Sequence, residues 1–112
     1  MPELGGRRVT LRRTGGLFAG NVLQTTVAED ELPAAQAAEL AALLGPVDLG
    51  ALAARSPIAG TGADRYQYDI AVEQGGETRR IVAPDSAVPA QLAPLVDWLE
   101  RRATQERKGA RG

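Results

Sequence analysis

Residues 66–83 of this chain read YQYDIAVEQGGETRRIVA, and this stretch decides the fold. In its first half, large apolar residues occupy every second position from Tyr66 to Val72, which is the period of a β-strand with one buried face. Gly75-Gly76 predicts a tight hairpin turn, because glycine accepts the positive φ angles that such turns require. A second strand follows over residues 78–83, so the stretch predicts an antiparallel hairpin.

Another hairpin is predicted upstream of this one. Residues 8–13 alternate with Val9 and Leu11 on one face, and residues 21–28 resume the alternation. The glycine-rich residues 14–20 between them are typical of a connection between strands. The chain therefore contains two predicted hairpins in succession.

A helix is predicted after the upstream hairpin. The acidic residues 29–31 precede Pro33, whose fixed φ suits a first helical turn, and negative charge there favours a helix N-terminus. Apolar residues then recur at helical spacing up to Leu44, and Gly45-Pro46 predicts a left-handed cap and a stop. Helix capping is the simpler interpretation of the three acids, and a cation site is the alternative.

Two further helices are predicted downstream. Residues 47–55 have helical spacing but include Gly50, so they predict a short and weak helix. Residues 92–99 carry apolar side chains on one face and predict a final helix. We expect Pro94 to delay or kink its first turns and the tail after Ala103 to fray.

The order of these elements indicates the fold class. With the two main helices counted, the order is β-β-α-β-β-α, which predicts an α+β fold: a four-stranded antiparallel sheet with both main helices packed on one face. The words Leu32-Pro33-Ala34 and Val88-Pro89-Ala90 open these helices alike and weakly support an internal duplication. Length and a hydrophobic content of 44% fit one domain over residues 1–112, with an ordered core at about 8–103 and flexible ends.

The composition argues against an enzyme. The chain has no histidine and no cysteine, which excludes triads with a histidine base and the commonest transition-metal ligands. Lys108 is the only lysine and lies in the tail, so Ser56 and Ser86 have no base to activate them. We therefore expect no catalytic residue, no metal site and no cofactor.

Charge and hydropathy limit the partners and the compartment. Arginines cluster at both ends, but no aromatic residue lies inside a basic run, so nucleic-acid binding is not expected. No segment is apolar enough for a signal peptide or long enough for a membrane span, which predicts a cytoplasmic protein without membrane association. We expect the free protein to be a monomer.

Residues 15–20 form the first candidate site, because this connection is longer than strand closure needs. It puts Leu17 and Phe18 at a hairpin tip, where exposed apolar side chains are typical partner anchors. The alternative is that Phe18 folds back onto the core. Leu32 leaves a similar choice, between a hydrophobic staple for the following helix and an exposed anchor.

The aromatic residues Tyr66, Tyr68 and Trp98 leave another choice. They either line a ligand pocket between sheet and helices or form a core with polar tips, and their apolar surroundings favour the core. A pocket of several hundred cubic ångströms would indicate a small-ligand or regulatory module. A third class of function is an accessory subunit whose arginine-rich ends bind an acidic partner.

Four segments together carry a family resemblance: Arg13-Thr14-Gly15-Gly16-Leu17-Phe18-Ala19-Gly20, the Leu32-Pro33 helix start, Tyr68-Asp69-Ile70, and Val88-Pro89-Ala90-Gln91-Leu92-Ala93-Pro94-Leu95-Val96-Asp97-Trp98-Leu99. They resemble the emfourin family of bacterial proteins that inhibit thermolysin-like zinc metalloproteases. The resemblance runs from about Val9 to Leu99. The family word usually has one apolar residue before Ala-Gly, whereas this chain has two, Leu17 and Phe18.

The resemblance implies an inhibitor that occupies the substrate cleft of a thermolysin-like metalloprotease of the same bacterium. The implied contact residues are Gly15, Gly16, Leu17, Phe18, Ala19, Gly20, Asp30, Glu31, Leu32 and Pro33. Such proteases favour a bulky apolar side chain, which Leu17, Phe18 or Leu32 would supply, and an acidic side chain would approach the enzyme's zinc. Because this chain has no histidine or cysteine to chelate the zinc, inhibition would come from shape.

Overall fold

The secondary structure follows the predicted order, and the weakly predicted short helix is present. A computed structural model describes residues 6–15, 22–60 and 66–111, with side chains as far as residue 106. Short 3-10 turns, Glu29–Glu31 and Asp85–Ala87, follow the second and fourth strands. The strands and α-helices in chain order are β1 (Arg8–Gly15), β2 (Leu23–Ala28), α1 (Ala34–Leu44), α2 (Leu49–Arg55), β3 (Tyr66–Gln74), β4 (Glu77–Pro84) and α3 (Ala93–Arg111).

The four strands form one antiparallel sheet in the order β2-β1-β3-β4. β1 and β3 are central, and their alternate residues Val9, Leu11 and Ile70 are fully buried, as the alternation predicts. Gly75 and Gly76 have φ angles of 58° and 83° and join β3 to β4. The predicted α+β fold and the predicted glycine turn are both confirmed.

All three helices contribute to a core on one face of the sheet. α3 packs against β2 and β1, α2 against β4, and α1 against α3. Removing each large apolar side chain of this core from water contributes about 2 kcal/mol. The most deeply buried large side chains are Leu11, Leu40, Leu52, Ile70, Ile81, Leu92, Leu95 and Leu99.

α2 forms although it contains Gly50. Its N-cap is Asp48, whose Oδ1 accepts a hydrogen bond of 3.1 Å from the backbone N–H of Ala51. The side chain of Leu52 is 1% exposed and belongs to the core. A capping bond and a buried leucine therefore outweigh the low helix propensity of glycine.

Both ends of α1 differ from the prediction. Gly45 has a φ of −52° and a ψ of −49°, which is right-handed helical backbone, so the predicted left-handed cap is wrong. The N-cap is Pro33, and no side chain caps it. The acidic residues 29–31 instead form their own 3-10 turn, so the capping interpretation of these acids is also wrong.

The final helix is longer than predicted. α3 continues past Ala103, where fraying was expected, to Arg111. Ala103 is buried, and Thr25 Oγ1 of β2 donates a hydrogen bond of 2.7 Å to Glu106 Oε1. The helix persists because its later turns dock against the sheet.

The two halves of the fold repeat one pattern. Leu32-Pro33-Ala34 follows β2 and its 3-10 turn, and Val88-Pro89-Ala90 follows β4 and its 3-10 turn. Since β2 and β4 run in opposite directions, the two turns lie at opposite ends of the sheet. The order of elements therefore repeats, and the internal duplication stays a prediction.

The helices were also compared with the length and hydropathy of a membrane span. In the described part of the chain, no single helix is long and apolar enough to cross a bilayer. α1 and α2 meet the criterion only when taken together, and they are bent by 58° at the break between them.

Candidate functional site

The described contact residues, Gly15 and residues 30–33, lie beyond opposite ends of the paired region of the β1–β2 hairpin. The register pairs Arg13 with Leu23 at one end and Arg8 with Ala28 at the other. Five residue steps of about 3.4 Å separate the two ends by roughly 17 Å. The structure therefore does not bring Gly15 and residues 30–33 together.

Only one of these two segments is fully described. Gly15 is the last residue of β1, with a φ of 107°. The rest of the first segment, Gly16, Leu17, Phe18, Ala19 and Gly20, lies outside the described residues. The geometry of the candidate site accordingly comes from residues 30–33, which we call the inhibitory turn after the role that the family resemblance predicts for them.

The inhibitory turn presents polar groups and an extended backbone. Asp30, Glu31 and Pro33 are exposed. Leu32 and Pro33 have φ/ψ angles of −83°/150° and −55°/150°, which is an extended conformation. Neither Asp30 nor Glu31 makes a side-chain hydrogen bond or ion pair with any described residue, and both carboxylates lie at the surface.

Leu32 combines the two interpretations that the sequence left open. Its side chain is half-buried and packs against the hydrophobic core, as a staple before Pro33 would. Part of the side chain nevertheless remains at the surface, next to the exposed carboxylates. An apolar contact surface is therefore present in the inhibitory turn, on a backbone that the core holds in place.

Glu29 anchors the inhibitory turn to the N-terminal segment. Arg7 Nε and Nη2 donate to Glu29 Oε1 and Oε2 at 3.1 Å and 3.0 Å, and the Arg7 backbone N–H donates to Oε1 at 3.1 Å. In return, the Glu29 N–H donates to the Arg7 carbonyl at 2.8 Å. These hydrogen bonds from Arg7 hold the pKa of Glu29 below its usual range. We call this arrangement the Arg7–Glu29 clamp.

Sequence reasoning missed the clamp. Arg7 and Glu29 are 22 positions apart, and no local pattern links them. The register of β1 with β2, which pairs Arg8 with Ala28, is what brings them side by side. A prediction of which residues pair across β1 and β2 would have found the clamp. A prediction of where each strand begins and ends does not find it.

A second polar cluster lies at the other end of the hairpin. Glu100 Oε2 accepts hydrogen bonds from Arg13 Nη1 at 2.8 Å and from Tyr68 Oη at 2.9 Å. The Arg13 guanidinium lies 4.4 Å from the centre of the Tyr66 ring. Burial, followed by the hydrogen bond to Glu100, raises the pKa of Tyr68 to about 12. We call these four residues the Glu100 cluster, and they hold the strand ends from which residues 16–21 leave.

The alternative function predicted a pocket lined by Tyr66, Tyr68 and Trp98, and the groove in the structure has a different lining. A groove of about 710 Å³ lies between α1 and α3, lined in part by Leu43 and Trp98. Trp98 Nε1 donates to Glu39 Oε1 at 3.0 Å on its wall. Tyr66 and Tyr68 do not line it and belong to the Glu100 cluster. Among the described residues, no three acidic side chains are grouped so that they could hold a metal ion.

Comparison with known proteins identifies the family. No curated protein and no solved structure matches the chain. The family model described as Emfourin matches residues 11–100, which include the inhibitory turn and the Glu100 cluster but begin after Arg7. The chain therefore belongs to the emfourin family, which is known for inhibitors of metalloproteases.

Proposed function

We propose that this protein inhibits a thermolysin-like zinc metalloprotease of the same bacterium by occupying its substrate cleft. Family membership supports the general kind of function. The observation that carries the proposal is the inhibitory turn, whose carboxylates are exposed and whose Leu32-Pro33 half is extended, and which is tied to the sheet on one side and to the core on the other. A segment that is already ordered loses little conformational entropy when it binds.

The side chains of the inhibitory turn suit the cleft of such an enzyme. The exposed carboxylate of Asp30 or Glu31 supplies an anionic oxygen for the zinc. Leu32 supplies an apolar group for a hydrophobic pocket. Pro33 has no backbone N–H and restricts the chain, which disfavours cleavage next to it.

Residues 16–20 form the second contact segment in this proposal. A standard interface buries about 800 Å² per partner, a patch roughly 30 Å across. The two ends of the β1–β2 hairpin fit within that span, and β2 between them is an edge strand of the sheet. We further propose that the inhibitor acts as a cytoplasmic monomer and has no catalytic activity of its own.

Titration of a thermolysin-like protease with the purified protein tests the proposal. We expect peptidase activity to fall in proportion to added inhibitor. The Leu32→Ala variant should raise the inhibition constant about tenfold or more, as loss of a central apolar anchor does. Phe18→Ala should also weaken inhibition while its thermal unfolding stays near wild type.

Leu43→Ala is the matched control for Leu32→Ala. Leu43 is also half-buried and packs against the same core, but it lies in α1 and lines the groove next to α3. It should lose similar stability and keep full inhibition. Equal loss of inhibition in both variants would reduce Leu32 to a packing residue. No inhibition of several such enzymes by micromolar wild-type protein would overturn the proposed function itself.

A further inference from the structure

We propose that Arg7 and Glu29 are positioning residues for inhibition: the Arg7–Glu29 clamp fixes the inhibitory turn in its binding conformation. This inference rests on the proposed function. It adds residues outside the predicted contact set, and Arg7 precedes the part of the chain that the family model matches.

The two-point contact in the clamp fixes the relative orientation of the Arg7 and Glu29 side chains as well as the distance between them. A guanidinium that meets both oxygens of one carboxylate sets the plane of the pair, which a single contact cannot do. Both side chains are shielded, with exposed fractions of 23% for Arg7 and 19% for Glu29. The reciprocal backbone bond from the Glu29 N–H to the Arg7 carbonyl then fixes the main chain at the start of the inhibitory turn.

The inhibitory turn has few other supports among the described residues. No residue of the 3-10 turn Glu29–Glu31, which overlaps the inhibitory turn, is buried, and no side chain caps that 3-10 turn or α1. The backbone bond from the Leu32 N–H to the Glu29 carbonyl is long, at 3.4 Å. The packing of Leu32 against the core supports the C-terminal part of the inhibitory turn. The clamp is therefore the main support at its N-terminal end.

Gly6 adds a close backbone contact to the clamp. A Cβ atom at Gly6 would lie 2.7 Å from the backbone nitrogen of Asp30. Such an approach is closer than real Cβ atoms show, and the atom it meets is backbone, which cannot rotate away. The segment that carries Arg7 therefore packs directly on the turn and leaves no room for a side chain.

The experiment compares inhibition with stability in clamp variants. Glu29→Gln and Arg7→Lys each remove the two-point ionic contact while keeping the side chains close in size. We expect each to raise the inhibition constant about tenfold, because the loosened turn must be ordered again on binding. The exchange Arg7→Glu with Glu29→Arg should recover part of the lost inhibition.

Asp69→Asn is the matched control. Asp69 is 22% exposed and accepts from both Nε and Nη2 of Arg80, so it forms the same two-point type of ion pair, with a partner that is 65% exposed where Arg7 is 23% exposed. It lies at a position of β3 whose side chain points away from the core. Because exposed ion pairs contribute little to stability, it should lose no more stability in denaturant unfolding than the clamp variants and should inhibit like the wild type.

Gly6→Ala tests the same inference without changing charge. It should weaken inhibition, whereas Gly45→Ala should not, since a Cβ at Gly45 would meet only ordinary contacts at 3.6 Å. If the clamp variants inhibit like the wild type, or if they lose no more inhibition than Asp69→Asn, the positioning role is overturned. A wild-type protein that inhibits no such protease contradicts the proposed function instead, so the two failures are distinguishable.

Discussion

Glu29 and Glu100 are similar side chains with different roles. Each accepts a guanidinium, from Arg7 and from Arg13, at exposed fractions of 19% and 20%. Glu29 fixes the backbone at the start of an exposed turn, whereas Glu100 also accepts the hydroxyl of a buried tyrosine, Tyr68. The surroundings of each glutamate, and not its identity, determine what it stabilises.

The hydroxyl of Tyr68 gives a direct test at this scale. In Tyr66→Phe, Tyr68 is the only tyrosine, since the chain has two. The ultraviolet absorbance of tyrosinate should then rise near pH 12 and not near the ordinary pKa of 10.0, because burial and Glu100 favour the neutral form.

The raised pKa of Tyr68 also predicts how the free energy of unfolding changes with pH. The folded protein holds the Tyr68 proton more tightly than the unfolded chain, so this contribution is present below the unfolded pKa of 10.0 and is lost as pH rises through about 12. Circular dichroism should confirm that the protein is still folded during the titration. A tyrosinate transition near pH 10 in the folded protein would contradict the assigned hydrogen bond.

The β3–β4 hairpin shows how one element depends on its turn. Both turn residues, Gly75 and Gly76, have positive φ, and a Cβ at either position would meet nothing within 4 Å. The requirement for glycine therefore comes from backbone conformation and not from crowding. β3 lies at the centre of the sheet, so an error in this turn would disturb its pairing with β4.

Substitution of the turn glycines tests this requirement. Gly75→Ala and Gly76→Ala should each lower the free energy of unfolding by about 1 kcal/mol, the usual cost of left-handed backbone for a residue with a Cβ. Gly75→Asn should lose less, because asparagine tolerates that conformation. Denaturant unfolding measures all three, and an alanine variant as stable as the wild type would contradict the turn geometry.

At the scale of the whole molecule, the β1–β2 hairpin separates two polar anchors. The Arg7–Glu29 clamp lies at one end and the Glu100 cluster at the other, beside strand pairs about 17 Å apart along the hairpin. They share no described hydrogen-bond partner. The clamp therefore supports residues 30–33 and the Glu100 cluster supports the end of β1, each independently of the other.

Because the two anchors are independent, the effects of substitutions in them on the free energy of unfolding should add. Glu29→Gln and Glu100→Gln should each cost about 1 kcal/mol of unfolding free energy. The double variant should cost the sum of the two, because groups farther apart than 7–10 Å couple weakly. A deviation of more than about 0.5 kcal/mol would show that the sheet transmits strain between the ends.

Local patterns in the sequence determined most of the fold. The alternation in the strands, the double glycine and the spacing of leucines predicted the strands and α-helices of the described residues, because burial on one face and backbone conformation are local requirements. The helix ends were the errors. Residues 29–31 carry the charge of a capping sequence, but Arg7 binds Glu29, so a distant partner overrode the local preference.

The sequence by itself also determined which residues to consider for the site and, through the resemblance, the family to which they belong. Only the tertiary structure decided that Gly15 and residues 30–33 lie at opposite ends of one hairpin, and that Arg7, Gly6 and Glu29 support residues 30–33. The physical reason is strand register. Register depends on which faces are buried together and is not encoded at either position alone.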